Sequence, residues 1–339
     1  MKTFRASDGA AIFLKAIIIN LALQIIASIV SVALVMSGVV GDKGENILNL
    51  CFTILLQGGF LLAYFTTAKK QKRKCPIPIK YTGVTVIIIS LLLSAVSVFC
   101  FAYTAQWFDF LLQKIGYNSM AMIAFSSPIE IVLVVLATAV LAPICEELVF
   151  RGALFGGLLK KMKVVPAVLL SGLCFAFMHM NPEQTVYQFI LGVVSALLAY
   201  YSGSLIPSIT LHAGNNIIAV IVSLVPASGS EELKPSLDFL WLTLAMLAVG
   251  IGLVYAGITI LKKINAKRAK TTSDGDTISV GNSLRLSLLD EEARDEIDEQ
   301  EGVIASPLLG KKSHLILTYI TLGVCALMWL LTFGAGLLM

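Results

Sequence analysis

Nine apolar stretches, each near the roughly 20 residues that cross a bilayer as a helix, recur along this chain. They fall at about 11–36, 47–67, 83–105, 128–145, 164–180, 185–201, 204–225, 237–261 and 314–337. The fold class this predicts is all-α: a polytopic transmembrane helix bundle of about eight core helices plus a final C-terminal span. Composition agrees. The 339 residues are 57% hydrophobic and only 14% charged, where a soluble chain carries about 25% charged residues.

Basic residues set an orientation. Lys2 and Arg5 precede the first stretch, and Lys69, Lys70, Lys72, Arg73, Lys74 and Lys80 follow the second. Lys160, Lys161 and Lys163 follow the fourth, and Lys262, Lys263, Lys267, Arg268 and Lys270 follow the eighth. All of them share one side if the N-terminus is cytoplasmic, as the positive-inside rule asks. The net charge of +4 reflects these clusters, so nucleic-acid binding is not expected. The first stretch is too long for a signal-peptide core and is read as a retained helix. Lys15, Asn20 and Gln24 recur along it at helical spacing and predict a polar face turned toward other helices.

The chain divides into N-terminal helices and loops (1–127), a core (128–225), a further helix (226–264), a polar cytoplasmic loop (265–313) and a C-terminal helix (314–339). The loop runs from basic to acidic, with Asp290, Glu291, Glu292, Asp295, Glu296, Asp298, Glu299 and Glu301. Separated charge blocks and few aromatics predict disorder or a short amphipathic helix there. The six cysteines show no paired or metal-type spacing.

Within the core, Ala142-Pro-Ile-Cys-Glu146-Glu147-Leu-Val-Phe-Arg151 puts two carboxylates and an arginine into an apolar setting. Insertion scales assign such charges about 2.5–3.5 kcal/mol each, so they demand a partner or a function. On a helix Glu147 and Arg151 share a face and can pair. Glu146 is rotated by about 100° and is the carboxylate left available. Two histidines are embedded as well, in Phe175-Ala-Phe-Met-His179 and His212-Ala-Gly-Asn-Asn216. In each motif the first and last residues share a helical face. Ionisable groups in spans face a bundle interior or a wet cavity, so Glu146, His179, His212 and Asn216 are expected to converge across the bundle.

The three motifs in order, Glu-Glu-x-x-x-Arg, Phe-x-x-x-His and His-x-x-x-Asn, resemble those of the CPBP family of intramembrane proteases. This family includes the type II CAAX prenyl endopeptidases and the bacteriocin-processing and self-immunity proteins. The resemblance covers about residues 128–225. It implies an endopeptidase in a bacterial plasma membrane, acting on a membrane-associated peptide or small membrane protein.

Amide hydrolysis needs an activated water, an oxyanion stabiliser and a proton donor for the leaving amine. Glu146 suits the base and His179 a proton shuttle. His212 and Asn216 suit the oxyanion, and Glu147 with Arg151 suits helix ordering or the binding of a substrate terminus. A second version places Zn2+ on Glu146, His179 and His212, the ligand set of a catalytic zinc with an open position. Two functions of other classes share these residues: a non-catalytic immunity or scaffold protein, and a proton-coupled transporter.

Overall fold

The computed structural model describes residues 4–68, 75–118, 127–225, 237–271 and 313–338. These residues form nine helices and no strand. They are α1 (Ala6–Met36), α2 (Asp42–Ala68), α3 (Val84–Lys114), α4 (Pro128–Leu158), α5 (Val164–Met178), α6 (Thr185–Ser202), α7 (Ile206–Ser223), α8 (Leu237–Thr271) and α9 (Ser313–Leu338). All but α5 are long and apolar enough to cross a membrane. Exposed Ile, Leu and Val side chains cover the outside, as on Ile25, Ile29, Leu92 and Leu331. That is the surface hydrocarbon requires, and no soluble monomer carries so much of it. The chain is a polytopic helical bundle.

Three boundaries differ from the sequence reading. The stretch 128–145 continues without interruption to Leu158, so Glu146, Glu147 and Arg151 lie inside a helix and do not close one. The third and eighth helices also run on, to Lys114 and Thr271, because polar residues late in a helix do not end it. The basic run 69–74, the loop 226–236 and residues 272–312, with the acidic run, lie outside the described residues.

Helix α4 is the hub. It packs against α1, α2, α5, α6 and α7. Small residues let α1 approach its backbone: a Cβ at Gly9 would sit 2.3 Å from the Ala153 carbonyl oxygen, and one at Gly157 would sit 3.2 Å from that of Ala6. Of the three polar residues expected to face other helices from α1, Lys15 and Asn20 reach α2 while Gln24 is exposed. Lys15 Nζ donates to Thr67 Oγ1 at 2.9 Å, and Asn20 lies against Gly59. The final helix α9 packs on α1 and α5.

Two wide π-helical turns, Val135–Leu141 and Leu148–Phe155, flank the six-residue α-helical segment Ala142–Glu147. The first has a local cause. The Ala142 N–H bonds the Ala137 carbonyl five residues back. The residue in the same relation to Thr138 is Pro143, which has no N–H to give. The Thr138 carbonyl is thereby released from the ladder. Such turns recur at functional sites.

Candidate active site

Arg151 is the largest fully buried side chain described. Its Nη1 donates to Glu147 Oε1 at 2.7 Å, one helical turn away. Its Nη2 donates to the Gly192 carbonyl of α6 at 3.1 Å, and the guanidinium carbon lies 4.3 Å from the Phe175 ring centroid. The buried cation is thus matched by a carboxylate, a carbonyl and a π-face, as a charge away from water requires. The Gly192 carbonyl is within reach because α5 and α6 almost touch there. A Cβ on Gly192 would sit 2.9 Å from Gly172 Cα.

Glu147 has a second partner. His212 Nδ1 lies 3.1 Å from the same Oε1, carried across from α7. One carboxylate oxygen therefore joins α4 to α7 while its helix neighbour Arg151 reaches α6. Sequence reasoning directs His212 toward Glu146. The structure places its hydrogen bond on Glu147, because α7 presents His212 to the Arg151 face of α4.

Glu146 is differently placed. It is buried, and its Oε2 has no hydrogen-bond partner. Gln57 of α2 and His212 are its polar neighbours. Two carboxylates one residue apart thus end in unlike surroundings: Glu147 Oε1 is held by Arg151 and His212, Glu146 forms no ion pair among the described residues, and each keeps a bare Oε2.

His179 caps the C-terminal end of α5. Its Nδ1 meets the Phe175 carbonyl at 2.8 Å, which leaves Nε2 unengaged by that bond. The His179 and His212 rings both pack edge-on against Phe175, with centroids 4.8 and 5.6 Å from it. A straight count from Lys163 puts His179 too far along its helix. The side chain folds back along α5 toward Phe175, as helical side chains do, and this brings it level with His212.

Asn216 does not sit on Glu146 either. Its Nδ2 donates to the released Thr138 carbonyl at 2.6 Å, and its Oδ1 accepts from Asn215 Nδ2 at 3.1 Å. Asn215 Oδ1 in turn accepts the Tyr187 hydroxyl of α6. This chain fixes which end of the Asn216 amide donates, and one Nδ2 proton remains for another acceptor.

Sequence reasoning overlooked Gln57, Tyr187 and Asn215. Gln57 was detectable as a lone amide within an apolar stretch. Asn215 was detectable beside Asn216. Tyr187 carries no such signal.

Among the described residues no three His, Cys, Asp or Glu side chains gather into a group that could hold a metal ion. Glu146, His179 and His212 as they stand in this structure do not form the expected zinc set, and His212 Nδ1 is taken up by Glu147.

Residues 128–218 match the family model described as type II CAAX prenyl endopeptidase Rce1-like. No curated relative and no solved structure matches the chain. The matched stretch holds α4 through most of α7, with all three motifs.

Proposed function

We propose, from the match of residues 128–218 of this multi-pass membrane protein to the type II CAAX prenyl endopeptidase Rce1-like model, that the chain hydrolyses a peptide bond in a membrane-associated peptide or protein, with Glu146 as the base. One observation carries the reading. Glu147 is held through Oε1 by both Arg151 and His212, whereas Glu146 beside it is buried and forms no ion pair among the described residues, the Oε2 of each carboxylate being without a hydrogen-bond partner. A structural pair alone leaves the second carboxylate without a purpose and with a burial cost.

The step balances on the chain's own residues. Glu146 takes a proton from water as its oxygen bonds to the carbonyl carbon. The carbonyl oxygen becomes an oxyanion, which accepts a hydrogen bond from the remaining Asn216 Nδ2 proton, beside His212 on the same helix face. His179 carries the proton from Glu146 to the leaving nitrogen through Nε2 as the C–N bond breaks. The products are a carboxylic acid and an amine. Glu147 and Arg151 hold α4, α6 and α7 in register around this space.

The test reconstitutes the full chain in liposomes and follows cleavage of C-terminal peptides, prenylated and unprenylated, by mass spectrometry. Glu146→Gln, His179→Ala and His212→Ala should each remove cleavage while the protein stays folded. Cleavage by Glu146→Gln at the wild-type rate defeats the reading in favour of a scaffold. Pairing of proton movement to solute uptake in place of cleavage points to a transporter.

A further inference from the structure

Outside the matched core, α9 reaches the turn that carries His179. Trp329 Nε1 donates to Thr185 Oγ1 at 2.7 Å. Thr185 Oγ1 donates onward to the Asn181 carbonyl at 3.0 Å, two residues beyond His179. The Trp329 ring also packs edge-on against Phe177, two residues before His179, at 5.9 Å. Both sides of the histidine are therefore held by one side chain of another helix.

Trp329 is itself braced. It stacks on Phe333 at 5.5 Å and 14°, and Phe333 stacks on Tyr117 at 5.8 Å and 7°. The Asn118 N–H closes the row on the Gly336 carbonyl at 2.9 Å. The held turn has a reason to need support. His179 is the C-cap residue of α5, and Met180 after it adopts φ +51°, a conformation that residues other than glycine rarely take. Backbone of this kind persists only where its surroundings over-determine it.

We propose that Trp329 is a positioning residue for His179, acting through Thr185 and Phe177, so that α9 completes the site from outside the matched core. The proposal rests on the reading of His179 as the proton carrier. Trp329 touches no reacting atom. It fixes the turn from which the imidazole projects, and small errors in that projection are costly to proton transfer.

The test compares full-length wild type with Trp329→Phe, Thr185→Val and the double variant in liposomes. Trp329→Phe keeps a ring against Phe177 and removes only the donor, while Thr185→Val removes the acceptor and the onward bond. Each single change should lower kcat about three- to tenfold, the share of one neutral hydrogen bond. KM should stay within about twofold, and the double variant should be no slower than the slower single variant. Thr185→Ser keeps the hydroxyl and should restore the wild-type rate.

A second measurement does not depend on proteolysis. Diethyl pyrocarbonate labelling, resolved by residue with mass spectrometry, should label His179 faster in Trp329→Phe and leave the His212 rate unchanged. If the wild type cuts no peptide, the protease reading fails while the labelling still decides the clamp. Equal His179 labelling in wild type and Trp329→Phe overturns the clamp. So do additive losses of kcat in the double variant.

Discussion

Arg151 Nη1 lies 2.7 Å from Glu147 Oε1, and neither side chain has any contact with solvent. A buried pair costs little when whole and much when halved, since the survivor is an uncompensated charge. Arg151→Met should therefore destabilise the protein by about 3–5 kcal/mol. Thermal unfolding in detergent, followed by tryptophan fluorescence, checks this. Glu147→Gln should cost less, because the amide still accepts from Arg151 and the Gly192 carbonyl remains.

The neighbouring carboxylate should behave in the opposite way. Glu146→Gln removes a buried charge whose Oε2 has no partner, so the melting temperature should hold or rise. Peptide cleavage should fall by about 100- to 10,000-fold, the usual contribution of a general base. A variant that loses both stability and activity would mark Glu146 as structural.

Tyr187 holds Asn216 only through Asn215. Tyr187→Phe should slow cleavage about three- to tenfold, the share of one neutral hydrogen bond. Asn216→Ala should slow it about 100- to 1,000-fold, the usual loss for an oxyanion donor. Equal losses in the two variants would show that Asn216 matters only as part of the hydrogen-bonded chain. Single-turnover rates on the reconstituted protein separate the cases.

Pro143 makes a less usual prediction. Alanine there supplies the missing N–H to the Thr138 carbonyl, in competition with Asn216 Nδ2. It also removes a proline from a helix interior, where proline costs about 3 kcal/mol relative to alanine. Pro143→Ala should therefore unfold at a higher temperature and cleave more slowly than wild type. Paired melting and activity measurements decide it.

Much of the architecture was legible because hydrocarbon leaves few options. A chain in lipid must satisfy its own backbone, so each long apolar run becomes a helix, and the nine runs are the nine helices of the described residues. Helical phase also showed that Glu147 and Arg151 share a face. It could not show which helix lies opposite, nor that the hydrogen bond of His212 goes to Glu147 while Glu146 is its neighbour. The end of α4 was misplaced because Glu146 and Arg151 resemble the polar edge of a span. Pro143 stood in plain view in the motif. Its effect depends on a five-residue hydrogen-bond step, and no periodicity of side chains reports that step. Trp329 passed unnoticed because one aromatic in an apolar span is ordinary.

The close approach of Gly9 to the Ala153 carbonyl bears on what the smallest working piece of this protein can be. The stretch of α4 around Ala153 and Leu154 is covered by backbone from a helix more than a hundred positions earlier. Excised by itself, the segment 128–218 would bare that part of α4 to lipid and leave the His179 turn without Trp329. The segment that matches the family model is recognisable by its sequence, but it is not a separable module, and truncation down to it should yield a chain that inserts without assembling.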